Sequence, residues 1–158
     1  MKSLRFLPIL IGCGAALLAR TATAVEPTVS APAQPHYTLD NCVNTFDSAK
    51  TEKTGAGYQY WFADGSLAEG KTVKLSVVGP HLATHASHHH PEDEFFFILE
   101  GKAEVYLDGQ RRVVGPNTCF YCPSEHEHGI RNAGDTELKY LVIRKDVSPA
   151  AAATAAQK

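Results

Sequence analysis

The stretch Thr84–Gly101, THASHHHPEDEFFFILEG, contains four histidines and four carboxylates and ends in an apolar block followed by glycine. Its residues His88 and His90 are two positions apart, so on a strand both side chains project to the same side. Pro91 interrupts the strand and allows the chain to turn before it resumes at Glu94. Two imidazoles and a carboxylate can therefore converge from adjacent strands, and such a donor set suits a divalent transition metal.

A second group of histidines supplies the remaining candidates. Seven of the eight histidines fall within residues 81–90 or 126–128, which scattered surface histidines would not do. His128 is the natural fourth ligand of the site. His126 has the same strand parity, so we consider it as a proton-transfer group near the metal, with an ordinary surface histidine as the alternative. His89, between two ligands, is expected to point the opposite way.

The rest of the sequence predicts an all-β fold. Short β-branched and aromatic runs are separated by the turn signals DGS, EGK, DGQ, GPN and AGD, which favours a small sandwich or barrel. The block Phe95–Leu99 is apolar at every position, which predicts a strand buried on both faces. Its second face would be covered by another sheet, by the N-terminal segment or by a partner subunit. The predicted strands are Tyr58–Ala63, Thr72–Gly79, Glu94–Glu100, Ala103–Asp108, Arg111–Val114, Thr118–Cys122, Glu127–Asn132 and Glu137–Arg144.

Two motifs carry a resemblance to a known family. His88, His90, Glu94 and Gly101 have the spacing HxHxxxE(x6)G, and Pro123, His128 and Asn132 have the spacing PxGxxHxxxN. With these motifs, the chain from about Thr72 to Ile143 resembles a single-domain cupin. Two family glycines are absent or displaced at the starts of the motifs, and Glu125 replaces the glycine after the proline. These departures change turns and leave the ligand positions intact.

The resemblance implies a fold, a metal and a range of activities. The fold is a small double-sheet antiparallel β-barrel of the cupin or jelly-roll type, and we expect this chain to form a homodimer. Its metal ligands would be His88, His90, Glu94 and His128, holding one divalent ion whose identity (Fe, Mn, Zn, Ni, Co or Cu) this donor set does not determine.

Cupins include dioxygenases, isomerases, decarboxylases, lyases and binding modules, so the fold alone does not name the reaction. We predict an enzyme acting on a small oxygenated organic compound or sugar acid, with dioxygenase-type oxidation favoured. The alternatives are a cupin isomerase or lyase, and a non-catalytic metal-binding or carbohydrate-binding module.

The N-terminal segment predicts export. Residues 1–24 combine a basic start, an apolar middle and the small triplet Ala22–Ala24, as in a cleaved signal peptide, and imply a periplasmic or secreted protein. The sequence LIGC at Leu10–Cys13 resembles a lipobox, so lipid anchoring at Cys13 is a lesser alternative. Residues 25–40 are predicted as a linker, 41–146 as the cupin domain and 147–158 as a disordered tail.

Removal of residues 1–24 leaves 12 basic and 17 acidic residues, a net charge of −5. A mildly acidic domain without a basic stripe is a poor candidate for nucleic acid or for insertion into a membrane after cleavage. Small molecules are the expected partners.

The cysteines leave two alternatives open. Cys119 and Cys122 form a CxxC, but on a strand they lie on opposite faces, roughly 10 Å apart and too far for a disulfide. One of them can pair with Cys42 in an oxidising compartment, or all three remain free thiols.

Overall fold

A computed structural model describes residues 37–66 and 70–145 of the 158-residue chain. The predicted signal peptide 1–24, Cys13, most of the predicted linker and the predicted tail 147–158 lie outside the described residues. A short helix, α1 (Leu39–Cys42), begins within the range predicted as linker. No helix in the described ranges has the length and apolar character that crossing a membrane requires.

Strands make up most of the domain, as the sequence predicts. Each of the eight predicted strands is present, with ends that differ by at most one residue, and one three-residue strand was not predicted. A 3-10 turn, Ser48–Lys50, precedes the first strand. The strands are β1 (Glu52–Thr54), β2 (Gly57–Asp64), β3 (Lys71–Val78), β4 (Glu94–Glu100), β5 (Ala103–Leu107), β6 (Gln110–Val114), β7 (Thr118–Cys122), β8 (His128–Asn132) and β9 (Leu138–Lys145).

Two antiparallel sheets enclose the core. The larger has the order β1-β2-β3-β9-β4-β7 and the smaller has the order β6-β5-β8. Ile98 and Leu138 of the larger sheet are fully buried in one cluster with Val105 and Ile130 of the smaller sheet. Burial of these apolar side chains between the sheets is the main stabilising term of such a fold. The prediction of an all-β, double-sheet antiparallel barrel is confirmed.

The inner face of the larger sheet combines apolar and polar side chains. Residues that pair across neighbouring strands form rows on this face, because side chains directly opposite each other share a face. The rows are Arg144, Glu94 and Cys122; then Lys74, Val142, Phe96 and Phe120; then Ser76, Tyr140 and Ile98. Charged and hydroxyl groups are thus carried into the barrel by rigid strands.

The Phe95–Leu99 block is buried on its inner face and partly exposed on its outer face, so the described residues do not supply the predicted cover of the second face. Phe96 and Ile98 point inward and are 3% and 0% exposed, whereas Phe95 and Leu99 point outward and are 41% and 39% exposed. The outer cover lies over another part of the sheet, where Phe46 packs edge-on against Tyr60 with ring centres 5.1 Å apart. The outer face of β4 is left without such a cover by the described residues.

The three cysteines of the described residues are free thiols. Cys119 is exposed and Cys122 is fully buried on the opposite face of β7, which confirms that the CxxC does not form a disulfide. Cys42 is exposed and also free, so of the two alternatives the structure contains the unpaired thiols. Burial raises the pKa of the Cys122 thiol, with the Glu94 carboxylate as a secondary cause, so this thiol stays protonated.

Two turns of the motifs depend on left-handed backbone. Gly101 has φ 87°, and a Cβ there would lie 2.5 Å from the carbonyl oxygen of Glu137, so only glycine fits. Glu125 also has positive φ, 63°, at the position where the motif has glycine. The turn therefore keeps its left-handed backbone although Glu125 has a side chain, which disfavours that backbone conformation.

Candidate metal centre

Three histidines from two parts of the chain meet inside the barrel. His88 forms an isolated β-bridge with His128, in which each N–H donates to the other residue's carbonyl, at 3.0 and 2.9 Å. This bridge attaches the histidine segment to the edge of the smaller sheet. His90, two residues later, projects to the same side, and one ring nitrogen from each histidine lies within 4.8 Å of the others.

The carboxylate of Glu94 completes the cluster from the larger sheet. Its Oε2 lies 3.4 Å from Nε2 of His128 and 3.7 Å from Nε2 of His90. Both Glu94 and His128 are almost fully buried, at 5% and 0% exposure. The structure therefore brings together all four residues that the sequence predicts as metal ligands.

The hydrogen bonds around the cluster leave nitrogen lone pairs directed into it. Nδ1 of His128 donates to the backbone carbonyl of His126 at 2.8 Å, which fixes the tautomer with an unprotonated Nε2 beside Glu94. Buried nitrogens without a hydrogen-bond partner are found on His88 (Nδ1), His90 (both) and His128 (Nε2). His90 Nδ1 is 3.3 Å from the Glu92 carboxylate but lacks hydrogen-bond geometry.

Buried polar atoms without partners are rare and costly, and a bound cation would satisfy one nitrogen of each of the three rings. Two of the separations between Glu94 and the histidines are close to the roughly 3 Å expected between adjacent ligands with metal bonds of about 2.1 Å. The donor set and its geometry thus fit a divalent metal.

Electrostatics favour the neutral, ligand form of His88. Burial, followed by the neighbouring His85, His128 and His90, lowers the pKa of His88 from 6.5 to about 4. A metal ligand must present an unprotonated nitrogen, so this environment prepares the imidazole for a cation at neutral pH.

The other histidines between residues 37 and 145 lie outside the cluster. The ring of His126 pairs with the Asp108 carboxylate and is half exposed, so its contribution to the centre is the carbonyl that orients His128. The same carboxylate accepts a hydrogen bond from the Glu127 amide at 3.0 Å and thereby holds this turn. His89 is exposed, and His81 contacts Asp135 at 2.9 Å.

A cavity of about 220 Å³ adjoins the cluster. Four side chains on its wall can take part in chemistry. They are the buried phenol of Tyr140, the ring of His85 and the cationic side chains of Lys74 and Arg144. Burial raises the pKa of Tyr140, so its phenol stays protonated at neutral pH, and it hydrogen-bonds with Thr84 and Ser76. The His85 ring lies edge-on against His88, with ring centres 4.4 Å apart. The lining residues are Thr54, Gln59, Lys74, Ser76, Thr84, His85, His88, Glu94, Phe96, Tyr140, Val142 and Arg144.

Sequence reasoning did not single out Lys74, Tyr140 or Arg144. The sequence feature that could have indicated them is the alternation of side chains between the two faces of a strand. Lys74 alternates with Val73 and Leu75, and Arg144 is on the same face of its strand as Tyr140. Both faces of β3 and β9 carry apolar residues, so the pattern does not reveal which face is inside.

A double-sheet barrel with histidines and a carboxylate directed inward is typical of small β-barrel proteins with an internal metal site. Comparison with known families identifies the particular one: residues 74–144 match the family described as "Cupin domain". Residues 74–144, which contain both motifs, are therefore a cupin domain.

Individual relatives cover parts of the chain. It is 34% identical over 87 residues to the dimethylsulfoniopropionate lyase DddQ of Ruegeria pomeroyi, covering 54% of this chain and 43% of that protein. It is 31% identical over 65 residues to the polyketide synthase CurC of Streptomyces cyaneus, covering 40% and 42%. The chain therefore spans less than half the length of these two curated relatives.

Solved structures show the same fold. A Cupin 2 conserved barrel domain protein from Salinispora arenicola superposes with a TM-score of 0.57 at 19% identity, covering 73% of this chain and 97% of that one.

Proposed function

We propose that this protein is a metal-dependent enzyme that moves a proton on a small oxygenated organic compound, in a lyase or isomerase reaction. The observation that carries the proposal is the set of unpartnered imidazole nitrogens beside a cavity that also contains a protonated, buried phenol. A site for proton transfer needs an acid and a base within reach of one bound molecule.

Each residue has a defined part in such a reaction. His88, His90, Glu94 and His128 would hold the ion, which when bound supplies a Lewis acid that polarises a substrate oxygen. The Tyr140 hydroxyl donates a hydrogen bond or a proton to the substrate. His85 contacts the carbonyl of Ala86 through Nδ1 at 2.9 Å, and with Nδ1 as the donor its Nε2 can accept a proton.

The relative DddQ, by its name a lyase, supports this class of reaction. The experiment that tests it is elemental analysis of the purified protein, followed by proton exchange of a panel of dicarbonyl and hydroxy-acid compounds in D₂O, monitored by NMR. We expect one equivalent of divalent metal and exchange that His128→Ala abolishes. Exchange at wild-type rate in Tyr140→Phe, which retains the ring, would contradict the role of the phenol.

Oxidative cleavage is the second candidate. Phe96 and Val142 provide an apolar wall beside the donor set, a setting in which an iron-loaded site could take up O₂. Oxygen uptake by the iron-loaded protein with a phenolic or dicarbonyl compound tests this activity, and stoichiometric zinc with no O₂ uptake would contradict it. Metal binding without any turnover would favour the metal-binding or carbohydrate-binding module instead.

We also propose that the chain is exported and forms a homodimer. Export is supported by the signal-peptide pattern of residues 1–24, and cell fractionation tests it. The dimer is supported by an outward apolar row that contains Phe95, Leu99, Tyr121 and Ile143, each more than a third exposed. Light scattering of the wild type and of Phe95→Ser tests the dimer, and a wild-type monomer at micromolar concentration would contradict it.

A further inference from the structure

A second opening reaches the candidate metal centre from outside the barrel. It is a cleft of about 540 Å³, here called the acidic cleft. Its lining shares only His88 with that of the cavity described above, so this imidazole lies between the two. A cation can therefore approach the cluster without crossing the cavity. The residues of the acidic cleft are His88, His89, Asp108, Glu125 and Glu127.

Carboxylates give the acidic cleft its charge. Asp108, Glu125 and Glu127 contribute three negative charges, and none of them forms an ion pair with a lysine or arginine of the described chain. The partner of Asp108 is the ring of His126. Even if His126 and His89 each carried a proton, three carboxylates against two imidazoliums would leave one negative charge. The acidic cleft therefore attracts cations.

Two of the three carboxylates are kept ionised by their hydrogen bonds. Ser87 and Tyr106 donate to Glu127 at 2.8 and 2.9 Å and lower the pKa of that carboxyl group. The ring of His126 lowers the pKa of Asp108 in the same way. Both groups therefore remain anions throughout the neutral range.

Glu125 holds its carboxylate in the acidic cleft at a conformational cost. Its φ of 63° is in the left-handed region, which glycine adopts more readily, and the corresponding motif position has glycine. Its carboxylate has no hydrogen-bond or ion-pair partner within the described part of the chain, so local stabilisation does not explain the side chain. Attraction of a cation would account for an acid at this position.

The inner end of the acidic cleft offers nitrogen ligands that have no other partner. His88 is neutral at pH 7, because burial lowers its pKa to about 4. The fully buried His128, whose ring centre is 4.9 Å from that of His88, has an unpartnered Nε2. The cavity on the other side of His88 carries both signs of charge, since Lys74 and Glu94 both line it. The approach of a cation is therefore favoured on the acidic side.

We propose that the acidic cleft is the route by which the protein takes up its metal, with Asp108, Glu125 and Glu127 drawing divalent cations toward His88. The inference rests on the proposed function, because it takes the histidine cluster to be a metal centre. It leaves the cavity on the larger sheet to the organic substrate. Charged clefts raise association rates by roughly 10- to 1,000-fold, and salt screens the effect.

The test measures the rate of Co²⁺ uptake by metal-free, full-length protein, using stopped-flow absorbance at about 10 and 150 mM salt. Glu125→Gln removes the charge and keeps the size of the side chain, whereas Glu125→Lys reverses the charge. The association rate constant at low salt should fall severalfold in Glu125→Gln and further in Glu125→Lys, and these differences should shrink at the higher salt concentration. The rate of Co²⁺ release into excess chelator should change little, because a charge at the rim acts mainly on association.

The matched control is Glu137→Gln, which removes one exposed carboxylate beside the Gly101 turn, past the far end of β4, and should leave the uptake rate unchanged. All variants should bind one Co²⁺ and keep the circular dichroism spectrum of the wild type, which separates slower uptake from misfolding. Equal association rate constants in the wild type and both Glu125 variants would overturn the proposal, as would an equal slowing in Glu137→Gln.

The same experiment separates the entry route from the proposed reaction, because uptake is measured without substrate. Salt-sensitive uptake that Glu125→Gln slows, in a protein that catalyses no proton exchange, would contradict the proposed reaction and support the entry route. A protein that takes up no Co²⁺ would overturn both.

Discussion

At the scale of single residues, Glu125 combines a disfavoured backbone with a position next to the metal centre. Its φ of 63° lies in the left-handed region, and its amide donates to the carbonyl of His90 at 2.9 Å. A side chain in this region costs about 1–2 kcal/mol relative to the right-handed conformation, and glycine avoids most of that cost.

Glu125→Gly should therefore raise the free energy of unfolding by about 1 kcal/mol relative to Glu125→Ala, as measured by urea denaturation. The alanine variant loses the same carboxylate but keeps the Cβ, so the comparison isolates the backbone. Equal stability of the two variants would show that the turn relaxes without strain.

His88 provides a pH dependence at the same scale. Its pKa of about 4 in the folded protein lies below its ordinary value of 6.5, so between these values the unfolded chain binds more protons. The free energy of unfolding of the metal-free protein should decrease as the pH falls from about 6.5 to about 4 and level off below that range for this group.

Urea denaturation at a series of pH values measures this decrease. His88→Gln removes the titrating group and should give a shallower decrease over the same interval. Parallel curves for the two proteins would contradict the assignment of the pH dependence to His88.

At the scale of elements, Asn132 links three parts of the fold. Its fully buried side chain donates to the carbonyls of Val78, Gly79 and Thr136 at 2.7–3.0 Å and accepts from the Gly134 amide at 2.9 Å. The end of β8 is thereby fixed to the end of β3 and to the loop before β9. The motif asparagine is a structural residue at the end of the barrel opposite to the start of β8.

Asn132→Asp should destabilise the protein by about 2–3 kcal/mol, because the new carboxyl group cannot donate as the amide does and leaves buried carbonyls unpaired. Denaturant unfolding monitored by circular dichroism measures the change. Asn132→Ala places no acid in the core but leaves the same carbonyls unpaired, so it should destabilise the protein by a similar amount. A loss below 0.5 kcal/mol for both variants would mean that the three carbonyls find other partners.

The elements also show what the sequence can predict. Eight strands were predicted because glycine turns and β-branched runs define them, whereas β1 was missed because Glu52–Thr54 is short, polar and mostly exposed. The four metal-ligand candidates were predicted because the spacing of two motifs resembles that of the cupin family. Lys74 and Arg144 were not, since their inward orientation depends on which side of β3 and β9 faces the smaller sheet. The exposure of Phe95 among the described residues was not predicted, because a run of apolar residues does not tell which part of the chain, or which partner, covers the second face.

At the scale of the whole molecule, the candidate metal centre joins the two sheets. Glu94 belongs to the larger sheet, His128 belongs to the smaller one, and the segment with His88 and His90 bridges to β8. A bound ion would therefore cross-link the barrel as well as serve chemistry, because ligands that bind only the folded state stabilise it.

Removal of the metal should lower the free energy of unfolding by about 3 kcal/mol when the free ion is at 100 times its Kd, and the thermal midpoint should fall accordingly. Calorimetry of wild-type protein with and without a chelator measures the shift. His128→Ala should be insensitive to the chelator. An equal response of both proteins would show that the stabilising ion binds elsewhere.

The distance in sequence between His88 and His128 also bears on when the ion is acquired. The bridge between these two residues forms only after β8 has joined the smaller sheet, so in the newly made chain only His88, His90 and Glu94 of the four candidate ligands are close together. A site that forms only on folding would take its ion where the chain folds, and under the proposed export the metal supply of that compartment would decide which element the protein carries.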